Sequence, residues 1–195
     1  MTLAAGTLVL VVGPSGAGKD SIIAGAAARL RGNADFVFAR RAITRPAAAG
    51  GEAHVALCAA EFAAQRERGL FLLHWHAHGL DYGIPASLAP ERAAGRTVIA
   101  NVSRAVLDEA RRHLQPLAVV QVLASGPVLA ARLRRRGRES EADVRRRLDR
   151  PAGILHGPDV ATIRNDGALG DAVEAFLAVL SRVAGQAVPF VPPRR

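Results

Sequence analysis

A short apolar run followed by a glycine-rich turn, a lysine and a helix start leaves a chain few folds to choose from. Residues 7–12 read Thr-Leu-Val-Leu-Val-Val, and Gly13-Pro14-Ser15-Gly16-Ala17-Gly18-Lys19-Asp20-Ser21 follows directly, opening a helix-compatible stretch over 20–30. Strand, loop and helix in that order form the phosphate-cradling P-loop, G-x-x-x-x-G-K-[ST], in all but its last letter. Glycines allow successive backbone N–H groups to turn onto phosphate oxygens. The helix N-terminus adds partial positive charge, and Lys19 reaches the β- and γ-phosphates of a bound ATP. Lys19 is the single lysine among 26 basic residues. An otherwise all-arginine chain has kept a compact, flexible ammonium where a point charge is required.

The position after the lysine departs from the motif. A Ser or Thr hydroxyl normally stands there as a ligand of Mg²⁺; this chain has Asp20, with Ser21 one residue later. A carboxylate is a good hard-oxygen ligand. It is also a favourable first-turn acid for a helix. Two readings follow: Asp20 binds Mg²⁺ directly, or Asp20 serves the helix start while Ser21 or water serves the metal.

The chain has 195 residues, half of them apolar but only 4% aromatic, which fits one domain with a core of Val, Leu, Ile and Ala. No run is long enough to span a membrane. The lone Cys58 excludes an internal disulfide and fits a reducing compartment, so a cytoplasmic location is expected. The net charge of +9 points to a phosphate-rich partner. Aromatics do not interleave with the arginines, which argues against a nucleic-acid ligand. Strands are expected over 7–12, 36–40, 70–76, 97–101, 117–123 and 160–163. Helices are expected over 20–30, 59–68, 87–94, 103–113, 127–136, 141–150 and 168–183. Alternation of this kind implies an α/β fold, a parallel sheet between two helical layers. Residues 1–185 form the domain, 40–85 interrupt the alternation as an insertion carrying acceptor contacts, and 186–195 are a tail.

Four clusters follow the loop. Arg40, Arg41 and Arg45 flank a turn fixed by Pro46, ahead of Glu52, and can make bidentate contacts to phosphate. His74, His76 and His78 alternate and are expected on one strand face, suited to hydrogen bonds with sugar hydroxyls or phosphate; a His-x-His pair could also bind zinc, but no third ligand is identifiable. Asn101-Val102-Ser103-Arg104 ends a strand where open α/β sheets place ligands. Residues 132–147 are arginine-dense around Gly137, the pattern of a mobile lid over a transferring phosphoryl group. Arg40, Arg41, Arg45 and Arg104 could supply the two anion sites of a base-free bisphosphate.

The loop, Thr44-Arg45-Pro46, Gly51-Glu52, Glu61-Phe62, Gly69 with Phe71, Tyr82-Gly83, the arginine-dense segment and Asn165-Asp166 together resemble guanylate kinase over residues 6–180. Guanylate kinases read guanine with carboxylates, and here His74, Asn101 and Ser103 stand in those places. Gly18-Lys19-Asp20-Ser21, Ile43 to Pro46, His74 to Leu80, Tyr82 to Pro85 and Asn101 to Arg104 instead resemble the ribose 1,5-bisphosphate phosphokinases of phosphonate breakdown. That resemblance implies a P-loop kinase of three-layer α/β/α architecture that uses ATP and Mg²⁺ to phosphorylate a small phosphorylated sugar. It implies catalysis by Lys19, Arg136 and Arg147, nucleotide binding by residues 13–21 and Asn165, and metal binding by Asp20 or Ser21. The acceptor would fall to Arg41, Thr44, Arg45, Glu52, His74, His76, Tyr82, Asn101, Ser103 and Arg104. A nucleoside monophosphate kinase of altered base preference and a non-catalytic guanylate-kinase-like module are the alternatives. The retained lysine and arginines speak against the module.

Overall fold

A computed structural model describes residues 5–49, 52–136 and 153–185. In chain order the elements are β1 (Leu8–Val12), α1 (Lys19–Arg29), β2 (Phe36–Phe38), β3 (Ala42–Ile43), β4 (Val55–Ala56), α2 (Ala59–Glu67), β5 (Phe71–Ala77), β6 (Leu80–Pro85), α3 (Ala89–Ala93), β7 (Thr97–Asn101), α4 (Leu107–His113), β8 (Leu117–Leu123), α5 (Gly126–Arg136), β9 (Val160–Arg164) and α6 (Leu169–Ala184). One sheet has the order β2-β7-β1-β8-β9. β2 pairs with β7 and β8 with β9, both parallel. β1 and β7 are buried at every position. The unbroken apolar run of β1 and the apolar centre of β7 are what strands covered on both faces require. The expected parallel α/β architecture is present.

The chain forms two compact units, one from residues 1–10 and 32–118, the other from 11–31 and 119–195. The first contains a second sheet, ordered β4-β3-β6-β5, inside the segment read as an insertion. β5 was expected to join the parallel sheet; it is instead one arm of an antiparallel hairpin with β6. Its alternating burial, with Leu73 and Trp75 inward and His74 and His76 outward, is the antiparallel signature of one covered face. His78 and Gly79 make the turn, both at positive φ (54° and 74°), as a two-residue type I′ turn demands. β6 carries Gly83 and Pro85 and reads as loop in sequence; β3 and β4, two residues each, are too short to leave a period. Two expected helices begin as 3₁₀ turns, Ala86–Leu88 before α3 and Arg104–Val106 before α4. Arg92 is buried in this unit. Its Nε donates to the Gly6 carbonyl (3.1 Å) and its Nη2 to the carbonyls of Leu114 (2.8 Å) and Pro116 (3.0 Å), tying the segment before β1 to the α4–β8 connection. Burial lowers its pKa.

In the second unit α1 packs on α6. A Cβ on Gly25 would lie 2.6 Å from Val173 Cγ2, so a glycine in mid-helix sets how closely the two helices approach. Gln121, fully buried, satisfies its amide by donating to the Gly153 carbonyl and accepting from the Leu155 N–H, both at 2.8 Å. The expected helix over 141–150, the arginine-dense segment from Gly137 through Arg147, and the tail lie outside the described residues.

Candidate active site

In the second unit the glycine-rich loop leads from β1 into α1, as its sequence predicts. Gly13 has φ of 147°, and a Cβ there would lie 2.1 Å from the Val122 carbonyl oxygen. Gly18 caps α1 at φ 92° with no side-chain cap, and its Cβ would meet Asn165 Nδ2 at 2.3 Å. Only glycine fits either position. Without a side-chain cap, the first-turn amides of α1 are oriented for an anion. Lys19 folds back along the loop, its Nζ donating to the carbonyls of Gly13 (2.7 Å) and Pro14 (3.0 Å). Asp20 and Ser21 are both exposed in the first turn.

Asn165 follows β9 and is buried. Its Nδ2 donates to the Ala17 carbonyl at 2.8 Å, and its Oδ1 has no partner among the described residues. The residue implied for nucleotide binding thus also holds the loop. Arg132 Nη1 reaches the same carbonyl at 3.4 Å. Asp166 accepts from the Ser125 N–H at 2.6 Å, at the start of α5. That hydrogen bond holds the Asp166 carboxyl below its ordinary value, with Arg164 and Arg132 adding to the effect. Arg136 is the last residue of α5; Arg147 lies outside the described residues.

The acceptor residues read from the sequence all lie in the first unit. Trp75 and Tyr82 face each other across the hairpin, stacked at 5.3 Å and 3°. The Arg41 guanidinium lies 5.3 Å from the Tyr82 ring centroid and 6.0 Å from that of Trp75. Arg41 is held in place by Glu52: Nε donates to Oε2 at 3.0 Å and Nη2 to Oε1. His76 Nδ1 sits 2.8 Å from Asp81 Oδ1. His74, opposite Gly83, shares the other strand face with them. His78 leaves that face because it forms the turn, so the expected alternation of three histidines stops at two. No group of three His, Cys, Asp or Glu among the described residues could hold a metal ion. Thr44 Oγ1 accepts from the Asp81 N–H at 2.8 Å, extending the ladder past β3. Asn101 ends β7, buried. Ser103 caps the following 3₁₀ turn by accepting from the Ala105 N–H at 3.3 Å, and this turn, which begins at exposed Arg104, packs against β5.

One residue to which the sequence reading gave no role stands out. His54 is 7% exposed in a segment otherwise rich in charge, and it contacts Arg40, Arg45 and Glu52. Burial of a polar ring in a basic loop is invisible to periodicity; the only cue is its position two residues after the acid that pairs with Arg41.

No curated family profile matches the chain. It is 45% identical over 183 residues to the ribose 1,5-bisphosphate phosphokinase PhnN of Agrobacterium fabrum, covering 93% of this chain and all of that one. It is 48% identical over 180 residues to the protein of the same name from Brucella melitensis, covering 92% and 94%. Among solved structures, a guanylate kinase from Anaplasma phagocytophilum superposes with a TM-score of 0.68 at 16% identity, over 96% of this chain and 91% of the other. A gluconokinase from Sinorhizobium meliloti gives a TM-score of 0.53 at 20% identity, over 94% and 95%. These structures share the fold, a parallel central sheet with helices in a P-loop kinase architecture. No helix among the described residues is long and apolar enough to cross a membrane. With near-complete coverage at this identity, the chain belongs to the ribose 1,5-bisphosphate phosphokinase family of ATP-using kinases.

Proposed function

We propose that the chain transfers the γ-phosphoryl group of ATP to the 1-phosphate of ribose 1,5-bisphosphate, giving 5-phosphoribosyl 1-diphosphate and ADP. One observation carries the choice of acceptor. Two carboxylates beside the acceptor sheet are already paired with neighbouring side chains, Glu52 with the Arg41 guanidinium and Asp81 with the His76 ring. A guanine brings N1–H and N2–H₂ donors that require a free carboxylate, and leaving such donors unpaired costs about 1–3 kcal/mol each. A sugar bisphosphate brings only hydroxyls and anionic oxygens, which cations and amides satisfy.

The chemistry follows from the groups present. An oxygen of the acceptor phosphate attacks the γ-phosphorus, the bond from that phosphorus to the β–γ bridging oxygen breaks, and ADP leaves. The acceptor phosphate is largely ionised at neutral pH, so no general base is required. Lys19 and the amides of the loop hold the β- and γ-phosphates, and Arg136 and Arg147 are assigned to the charge that develops on the transferring group. The first turn of α1 fits Mg²⁺: Asp20 and Ser21 offer hard oxygens beside the phosphate cradle, and this ion is usually held by one or two carboxylates plus phosphates and water. When bound, Mg²⁺ neutralises phosphate charge. Asn165 keeps the loop in shape for the nucleotide. Arg45, Arg104, Thr44, Tyr82, His74, His76, Asn101 and Ser103 are assigned to the acceptor, with Arg41 and Glu52 forming its fixed wall. We place the reaction in the cytoplasm, within phosphonate breakdown.

The test is a coupled ADP-release assay with ribose 1,5-bisphosphate, GMP and AMP offered separately. Turnover is expected with the sugar bisphosphate and little with either nucleotide. Faster turnover with GMP would replace this reading by a nucleoside monophosphate kinase.

A further inference from the structure

The arginines of the acceptor segment are not equivalent. Arg41 is neutralised by Glu52. Arg40 and Arg45 have no carboxylate partner among the described residues, and both guanidinium groups reach the same residue: Arg40 Nη2 donates to the His54 carbonyl at 3.2 Å, and Arg45 Nη2 lies 3.3 Å from His54 Nδ1. The Nε of Arg45 is buried with no partner among the described residues. Two uncompensated guanidinium groups converging on one residue are suited to charge-assisted, bidentate contact with a phosphate.

His54 holds them in two ways, its backbone carbonyl accepting from Arg40 and its imidazole lying against Arg45. Nε2 lies 3.0 Å from the carbonyl oxygen of Arg45, an acceptor for a ring N–H. Nδ1 lies 3.0 Å from the Glu52 carbonyl oxygen as well as 3.3 Å from Arg45 Nη2. Both ring nitrogens thus face backbone carbonyl oxygens, and the ring ties the backbone of Arg45 to that of Glu52 directly beside the Arg45 guanidinium. The ring is buried, so water does not compete for these bonds. Arginine bound ahead of its ligand loses less rotamer freedom when the ligand arrives.

We infer that His54 is a positioning residue that presets Arg40 and Arg45 as a two-pronged site for a phosphate monoester of the acceptor. This rests on the sugar-bisphosphate reading above. His54 touches no reacting atom; it acts through the arginines.

Steady-state kinetics on the full chain test it. His54→Ala is expected to raise KM for ribose 1,5-bisphosphate by about tenfold or more while kcat and KM for ATP change by less than about threefold, the split that marks lost ground-state binding of one substrate. In His54→Gln, whose amide can donate to the Arg45 carbonyl and accept from its guanidinium, part of the affinity should return. The His54→Ala/Arg45→Ala double variant should be no worse than Arg45→Ala, whereas His54→Ala with Arg104→Ala should be additive, because only the first pair shares a contact. An unchanged acceptor KM in a protein of normal melting temperature overturns the inference. So does a parallel rise in KM for ATP, or full additivity with Arg45→Ala. If His54→Ala does not fold, His54→Gln in the same cycle decides. A wild-type enzyme that prefers GMP or AMP sinks the acceptor reading itself, and does so before any variant is made.

Discussion

The nucleotide half of the chemistry turns on a few side chains. Lys19 rests on the carbonyls of Gly13 and Pro14, which a triphosphate would replace with stronger, charge-assisted partners. Lys19→Ala is expected to lower turnover by about 10²-fold or more, the scale of losing one well-placed electrostatic contact, with an unchanged melting curve. Lys19→Arg should not restore it, since a planar fork does not fit between two backbone carbonyls as a point charge does. A folded Lys19→Ala enzyme of near-normal turnover would remove the loop from the mechanism. Asp20 is the sharper case. Asp20→Asn keeps size and an oxygen but loses the charge, so the Mg²⁺ concentration for half-maximal rate should rise while acceptor KM stays put. Superimposable Mg²⁺ titrations would reduce Asp20 to a helix-start acid.

At the level of elements, the pieces around the loop are pinned by their ends. Asp166, just after β9, accepts from the N–H of Ser125 at the head of α5, and its carboxyl titrates below the ordinary 3.8 chiefly because of that bond. A depressed carboxyl contributes stability above its unfolded pKa, and the contribution disappears as pH falls through the folded value. Asp166→Asn should therefore melt below wild type at neutral pH, and the two curves should converge as pH drops below about 4, the unfolded carboxyl value. A gap that stays constant down to acid pH would mean the bond acts through shape and not charge. Much of this was legible beforehand: Asn165-Asp166 stands out after an apolar run. The hairpin β5–β6 was not, because Gly83 and Pro85 weaken its second arm and the inward residues of its first arm mimic a central strand.

The whole molecule is strongly cationic, and both substrates assigned to it are anions. Long-range attraction of that sort is screened beyond about 10 Å at 0.1 M salt. Raising salt from about 0.05 to 0.5 M should lift KM for the acceptor several-fold with little change in kcat, because steering acts on encounter and not on the transfer step. An acceptor KM flat across the series would leave binding to contact groups alone. The residues proposed for the nucleotide phosphates belong to one compact unit and those proposed for the acceptor to the other. The second sheet is built from strands between Ala42 and Pro85, of which only β5 was legible as a strand beforehand.

The nucleotide loop, its lysine and the parallel α/β core were determined by local sequence, because each depends on near neighbours: glycines where backbone must turn, an unbroken apolar run where both faces are covered, a helix start directly behind. The family strings extended that to a sugar bisphosphate. Pairing across distance was decided only by the fold. Nothing in the order of residues says that Glu52 closes on Arg41, that Asp81 is taken by His76, that the His78-Gly79 turn breaks the row of histidines, or that a buried His54 gathers Arg40 and Arg45. Charge types can be counted along a chain; which charges neutralise one another and which remain for a ligand depends on which side chains the sheet register and the turns bring within hydrogen-bond reach.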